Sequence, residues 1–203
     1  MKIIRQLSIA IVCLFMLSTC TKSDLTLEGE SQDSIDEATL ISLKKSKEKP
    51  IYVTVPFKAA FLGDYQYVGP DIEVLTGLEP KGCEAARVIV DFEGNGTHLG
   101  KFTGNFDFCA GPEGYGPSDS YMVAANGDTL IVSIAGNVIQ GRMDDHPEYV
   151  TSYWRDSFVI IGGTGRFEGA TGSGMSDDYN SSLDINSHHN WTGTITMIKG
   201  KSN

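Results

Sequence analysis

Histidines are the first candidates for chemistry in this sequence, because imidazole binds metals and moves protons near neutral pH. The four in the chain are His98, His146, His188 and His189. None has the spacing of a zincin or a zinc finger. As neighbours on a strand, His188 and His189 would also point to opposite faces. We therefore expect the histidines to lie in turns or on the surface, and we predict no metal site and no cofactor.

Two acidic stretches could supply carboxylates for acid–base or calcium chemistry. In Asp144-Asp145-His146-Pro147-Glu148 the carboxylates flank a histidine, as general acid–base catalysis would require, but the proline favours a solvated loop. The second stretch holds Asp177, Asp178 and Asp184, whose carboxylates suit calcium, but the sequence around them does not have the pattern of a calcium loop. A serine-nucleophile elbow of the form G-x-S-x-G is absent. The sequence alone therefore assigns no catalytic residue.

The densest motif is a glycine string after the apolar segment 158–161. It reads Gly162-Gly163-Thr164-Gly165-Arg166-Phe167-Glu168-Gly169-Ala170-Thr171-Gly172-Ser173-Gly174. A dinucleotide-binding loop would need its third glycine at position 168, which is Glu, and an amphipathic helix after it. The string instead predicts a sharp turn, with Phe167 folded back to pack against the end of a barrel and glycines supplying unusual backbone geometry.

Cysteine usage indicates a disulfide in an oxidising compartment. Cys83 and Cys109 are the pair that remains after the N-terminal region. A hairpin turn at Gly94-Asn95-Gly96 would place Cys83 opposite about position 107, close enough to Cys109 for a bond. A metal-binding thiol pair would need ligands that the sequence does not supply nearby.

The N-terminus has the layout of a secretory signal peptide over residues 1–19. Lys2 and Arg5 precede an apolar run from 7 to 17, which is too short to span a bilayer. The segment Leu17-Ser18-Thr19-Cys20 resembles the lipobox of bacterial lipoproteins, in which the cysteine is acylated and becomes the new N-terminus. The resemblance implies lipidation of Cys20. Thr21 follows, where the inner-membrane retention signal would have Asp, so we expect an exported protein of the cell envelope, anchored by lipid to the outer membrane.

Charge and composition narrow the possible partners. Cleavage removes two basic residues and lowers the formal net charge from −10 to −12, which argues against nucleic acid and anionic lipid as partners. Attachment to the bilayer would then depend on the acyl chains. Residues 20–49 are polar and lack aromatic residues, as in a flexible tether. The oligomeric state stays open.

Residues 50–203 show the alternation of β-strands. Val88, Val90 and Phe92 share one face, as do Phe102, Phe106 and Phe108. Hairpins are predicted at Gly94-Asn95-Gly96 and at Asn126-Gly127. Further strands are predicted at 51–62, 72–75, 157–161, 172–178 and 191–198. We expect an all-β domain with a single closed antiparallel barrel of about eight strands, although periodicity alone does not exclude a sandwich.

The glycine string also resembles the strand-turn-strand signature of the allene oxide cyclase and dirigent families. There a Gly-Gly-Thr-Gly-x-Phe turn is followed by a small residue and glycine, matched here by Gly162, Gly163, Thr164, Gly165, Phe167, Gly169 and Gly172. Residues 97–103 and 125–130 resemble pieces of bacterial secreted proteins with the same domain. The resemblance implies a calycin-like barrel with an apolar cavity over residues 50–203. It transfers a fold and leaves the chemistry open.

Three functions follow as hypotheses. The first is a non-catalytic, membrane-tethered barrel that binds a small hydrophobic ligand in its interior. The second is an isomerase or cyclase acting on a fatty-acid-like or phenolic substrate, which needs a polar or ionisable group inside the cavity. The third is a structural or partner-binding surface lipoprotein, which large exposed aromatic patches would favour.

Overall fold

Long antiparallel strands make up most of the domain. The structure, a computed structural model, describes residues 49–200; the predicted signal peptide, Cys20 and nearly all of the predicted tether lie outside the described residues. The strands are β1 (Tyr52–Gly69), β2 (Ala86–Gly96), β3 (Gly100–Gly111), β4 (Gly114–Ala124), β5 (Thr129–Gly136), β6 (Ile139–Gln140), β7 (Val150–Trp154), β8 (Ser157–Gly163), β9 (Thr171–Ser176), β10 (Asp178–Ser181) and β11 (Ser187–Ile198).

Eight of these strands form one closed barrel. They follow the order β1, β2, β3, β4, β5, β8, β9 and β11, and β11 pairs back onto β1 from Tyr52↔Ile198 to Gly63↔Ser187. The predicted all-β fold with a closed barrel is therefore confirmed. Closure gives every one of the eight strands two neighbours, which a sandwich would not do.

Strand β11 has two different neighbours on its second edge. Residues from Trp191 to Thr196 pair with β9, whereas Ser187 and His188 pair with β10. Beyond β10 lie β7 and then β6, so these three strands form a small flap that leaves the barrel wall at the start of β11. The flap brings Asp178, the first residue of β10, next to β11.

The barrel interior contains a cluster of aromatic rings among aliphatic side chains. The alternation along β1 and β11 turns every second side chain inward, as expected for half-buried strands. Ring centroids lie 5.0 Å apart for Phe61 and Phe92, and 4.6 Å apart for Phe158 and Trp191. The fully buried aromatic side chains are Phe57, Phe158, Phe167 and Trp191.

The two predicted hairpins exist, but the first one turns further along the chain. Strand β2 runs through Gly94 and ends at Gly96, which pairs with Gly100, so the turn is at residues 97–99. A Cβ at Gly94 would overlap Phe61 on β1, so glycine serves the close approach of that strand. The second hairpin is confirmed, with Asn126-Gly127 between the paired residues Val123 and Thr129.

Other segments differ from the sequence predictions. Residues 72–75 were expected to form a strand, but Glu73–Thr76 is a short helix, α1, with Val74 85% and Leu75 53% exposed. Because no sheet face buries these side chains, the segment makes its backbone hydrogen bonds within a helical turn. The helix ends where the Gly77 amide donates to the Glu73 carbonyl. The three flap strands β6, β7 and β10 were not predicted. Within residues 49–200, no helix has the length and apolar character needed to cross a membrane.

Candidate functional site

The glycine string closes one end of the barrel. Gly162, Gly165 and Gly169 have φ values of 147°, 56° and 67°, which other residues adopt rarely. Between them Phe167 turns inward and is fully buried, as the sequence predicts. The Arg166 guanidinium holds the turn by donating to the Asp128 carboxylate at 3.0 Å. These contacts give the string a structural role.

The other end of the barrel contains a small cavity. Its volume is about 60 Å³, and it is partly open to solvent. Most of its wall is apolar, with polar groups gathered on one side. The lining residues are Tyr65, Val90, Phe106, Phe108, Tyr115, Ile134, Val138, Trp154, Asp178, Ser187, His189 and Trp191.

The polar side of the cavity is a hydrogen-bonded relay of Ser187, His189 and Asp178. Ser187 Oγ lies 2.9 Å from His189 Nε2, and His189 Nδ1 lies 2.9 Å from Asp178 Oδ2. The three residues are 1%, 6% and 1% exposed, respectively. A serine, a histidine and a carboxylate linked in this order through these atoms have the connectivity of a catalytic triad.

Asp178 is fixed by donors other than the histidine. Trp191 Nε1–H donates to Oδ2 at 3.0 Å, and the backbone amide of Asn190 donates to Oδ1 at 3.0 Å. Both groups can only donate, so both require the carboxylate oxygens as acceptors. Because Oδ2 also faces His189 Nδ1, the network favours the tautomer with a proton on Nδ1 and a free Nε2 toward Ser187.

Strand geometry explains how these side chains meet. Ser187, His189 and Trp191 are alternate residues of β11 and therefore share its inward face. The His189 ring is nearly parallel to that of Phe61, with centroids 4.4 Å apart, which fixes the imidazole plane. On β1, Gly63 leaves the space that the relay occupies, because a Cβ there would overlap Ser187 Oγ and press on His189 Nε2.

Two tyrosine hydroxyls also reach the cavity. Tyr65 donates to Asn180 Oδ1 at 3.2 Å and lies beside Ser187. Burial raises the pKa of Tyr65, and its hydrogen bonds with Asn180 and Ser187 oppose that shift. Tyr115 donates to Asp156 at 2.8 Å, and burial together with that carboxylate raises the pKa of Tyr115. Both hydroxyls are therefore protonated donors at neutral pH.

The predicted disulfide is confirmed and lies at this end of the barrel. Cys83 and Cys109 are bonded, with Cα atoms 5.1 Å apart. The register differs from the predicted one, because the β2–β3 ladder starts at Ala86↔Ala110 and Cys83 precedes it. Cys109 follows Phe108, so the bond fastens the chain before β2 next to a cavity residue.

A buried ion cluster reinforces the same region. Arg87, only 2% exposed, donates to both oxygens of Asp107 at 2.7 and 2.6 Å and to Asp71 at 3.2 Å. The bond from Arg87 lowers the pKa of Asp107, and backbone amides, that of Cys83 first, lower the pKa of Asp71. The cluster ties the segment before β2 to the barrel wall.

The histidines and the acidic stretch identified in the sequence lie at different places in the structure. His98 is exposed in the β2–β3 turn, and the stretch 144–148 is a loop, as expected. His188 points away from His189 and stacks on Tyr179 outside the barrel. The expectation of turn or surface histidines is wrong for His189, which the flap covers. No group of three or more His, Cys, Asp or Glu within residues 49–200 is arranged to hold a metal ion.

The sequence patterns did not identify the relay. Ser187, His189 and Trp191 alternate along one strand, a signal that was available, but nothing local shows that this face turns inward. Tyr115, which also lines the cavity, belongs to β4, and β4 follows β3 after a tight turn. Asp178 was one of three aspartates in a polar stretch, and only the pairing of β10 distinguishes it.

Comparisons with known proteins give little further information. No family model and no curated protein matches the chain. Among solved structures, a pterocarpan synthase dirigent protein is similar with a TM-score of 0.43 and 13% sequence identity, over 75% of this chain and 94% of that chain. The barrel is established by the strand pairings given above, and the site by its own contacts.

Proposed function

We propose that this chain is a lipid-anchored barrel that binds a small, mostly apolar molecule carrying one hydrogen-bonding group. The observation that carries the proposal is the relay of Ser187, His189 and Asp178 in the wall of an otherwise apolar cavity. Burying polar groups opposes folding unless they are fully partnered, and an apolar replacement often stabilises a core. A buried polar relay beside an opening therefore supports a binding role.

The size of the cavity limits the ligand. Sites for drug-sized molecules measure about 300–1,000 Å³, far above the roughly 60 Å³ found here. The hypothesis of a small hydrophobic ligand in the barrel interior is therefore restricted to the cavity at this end, because rings such as Phe61 and Phe92 fill the centre. The proposed ligand places a compact head group among Phe106, Trp154 and Trp191, and any longer portion extends through the mouth.

Native mass spectrometry after incubation with a cell-envelope lipid extract tests binding. The protein should retain a bound molecule, and Val138→Trp should reduce its occupancy because Val138 lines the cavity and is 46% exposed. Val68→Trp is the matched control, since Val68 is 62% exposed and does not line the cavity. Equal occupancy in both variants, or no bound molecule, would contradict the proposal.

Anchoring through Cys20 is the second part of the proposal, and the lipobox-like sequence supports it. Acyl chains contribute about 0.8 kcal/mol per buried methylene, which outweighs the repulsion of a negatively charged chain from an anionic surface. The barrel would then stand in the cell envelope, at the outer membrane. Cys20→Ser should move the protein from the membrane fraction to the soluble fraction; continued membrane retention would refute the anchor.

Proton transfer on the bound molecule is a second candidate function. The isomerase hypothesis requires an ionisable group inside the cavity, and His189 meets that requirement. An imidazole that contacts a carboxylate on one side and a hydroxyl on the other can take and return a proton. Exchange of deuterium from solvent into a bound ligand would support this candidate, provided that His189→Gln abolishes the exchange.

A further inference from the structure

The geometry points to Ser187 as a nucleophile that accepts an acyl group from a small neutral ester. This inference rests on the proposed cavity as the ligand site, and it adds a covalent step to binding. A serine hydroxyl is a weak nucleophile unless a neighbouring base removes its proton. His189 Nε2 is placed to do so at 2.9 Å from Ser187 Oγ.

The direction of the relay follows from its fixed donors. Trp191 and the Asn190 amide hold Asp178 in place, and Asp178 then accepts from His189 Nδ1. This leaves Nε2 as an acceptor for the Ser187 proton. The Gly63 carbonyl lies further from Ser187 Oγ, at 3.4 Å, so the histidine is the closer acceptor of the two.

Two other buried serines show that burial alone does not produce this arrangement. Ser120 donates to the Asn105 carbonyl at 2.7 Å, and Ser118 Oγ has no hydrogen-bond partner among the described residues. Neither serine lines the cavity. Ser187, by contrast, both contacts a base, His189, and lines the cavity.

Tyr65 supplies a donor at the point where negative charge would develop. The Tyr65 hydroxyl lies beside Ser187. The residue is 39% exposed, so Tyr65 lies at the mouth of the cavity. A protonated tyrosine hydroxyl can turn from Asn180 to the oxygen of a tetrahedral intermediate and stabilise it. Gly63 lets the β1 backbone pass close to Ser187 Oγ, because a Cβ there would overlap that oxygen.

The acyl transfer balances with the groups present. The Ser187 proton passes to His189 Nε2 while Oγ bonds to the carbonyl carbon of the ester. The bond from that carbon to the alkoxy oxygen then breaks, and the alcohol leaves with the proton from Nε2. Water repeats the sequence on the acyl-serine, which releases a carboxylic acid and restores the Ser187 hydroxyl.

Size and charge define the substrate class. The walls near Ser187 include Phe106, Trp154 and Trp191, which suit an apolar acyl group, and the small volume requires a short one. The negative net charge of the chain disfavours anionic acyl donors. We therefore infer a neutral short-chain ester.

Acetylation by p-nitrophenyl acetate tests the nucleophile in the full chain carrying Cys20→Ser. Peptide mapping by mass spectrometry should find the acetyl group on Ser187. The rate of nitrophenol release should fall by about 10²- to 10⁴-fold in His189→Gln, the usual contribution of a general base. In Ser187→Ala the acetylated peptide should disappear, because the nucleophile itself is removed. Ser118→Ala and His98→Gln are matched controls that should keep the wild-type rate.

Asp178 is a positioning residue, and its role has a separate readout. In Asp178→Asn the rate of acetylation of the folded protein should fall, because His189 loses the carboxylate that orients its ring toward Ser187. A purely structural Asp178 would lower the melting temperature and leave the acetylation rate of the folded protein unchanged.

The outcomes separate this inference from ligand binding. Retention of an envelope molecule together with an unmodified Ser187 would overturn the nucleophile and leave the binding proposal in place. Acetylation of Ser187 at the same rate in His189→Gln would also overturn it. If the folded wild-type protein shows neither acetylation of Ser187 nor a bound envelope molecule, the cavity is not a ligand site.

Discussion

Replacing Asp178 by alanine or by asparagine tests how the buried relay is held together. The carboxylate accepts from three donors, at 2.9 Å from His189 and at 3.0 Å from both Trp191 and the Asn190 amide. A buried donor left without an acceptor costs about 1–3 kcal/mol. The number of orphaned donors therefore determines the expected loss in the free energy of unfolding.

The two variants orphan different numbers of donors. In Asp178→Ala, His189 can change tautomer and donate to Ser187, so only the Trp191 and Asn190 donors lose their acceptors, at about 2–6 kcal/mol in total. In Asp178→Asn, one amide oxygen remains. If that oxygen faces Trp191, the Asn190 amide is orphaned, and the reverse orientation orphans Trp191. One donor is lost in either case, at about 1–3 kcal/mol.

Urea denaturation followed by the fluorescence of Trp154 and Trp191 measures both losses. Domains of this kind have about 5–15 kcal/mol of stability, so both variants should remain folded without denaturant. Asp177→Ala is the matched control, because the Asp177 carboxylate is 60% exposed and its bond to Arg155 is a surface ion pair. Equal losses for alanine and asparagine, or losses below about 0.5 kcal/mol, would refute the donor count.

Three further predictions concern the rest of the barrel. Phe167→Ala should lower the free energy of unfolding by about 3–5 kcal/mol, because it removes a fully buried ring. Replacing Cys83 and Cys109 together by alanine should cost about 3–4 kcal/mol in the chain-entropy model for a separation of 26 residues. Acid should destabilise the protein from about pH 5 downward, because the hydrogen bond from Arg87 lowers the pKa of Asp107 in the folded state. The ionised Asp107 carboxylate therefore stabilises the folded state above the pKa of the unfolded chain, and this stabilisation is lost as the pH falls. Arg87→Met should weaken this acid dependence.

Thermal denaturation that is unchanged by Phe167→Ala would mean that the ring is exposed. For the cysteines, urea midpoints are compared with and without reductant, and a wild-type protein insensitive to reductant would contradict the expected gain. For the acid dependence, urea midpoints across pH should converge for wild type and Arg87→Met at low pH. Parallel curves would show that Asp107 is not the group involved.

The candidate site could be predicted only in its parts. Alternation along 187–191 places Ser187, His189 and Trp191 on one face of a strand, and this is local information. The inward direction of that face depends on closure of β11 against β1, whose residues are more than a hundred positions away. The disulfide was predictable from the cysteine count, although the turn used to support it lies further along the chain.

The sequence by itself determined the strand faces, the Asn126-Gly127 hairpin and the burial of Phe167, because side-chain direction and turn geometry depend on neighbouring residues. Only the tertiary structure decided that Asp178 meets His189, since that contact requires β10 to leave the barrel wall and pair with the start of β11. It also decided how much of the interior stays open. Packing depends on how rings from distant strands such as Phe61 and Phe106 interlock, and no local pattern specifies that.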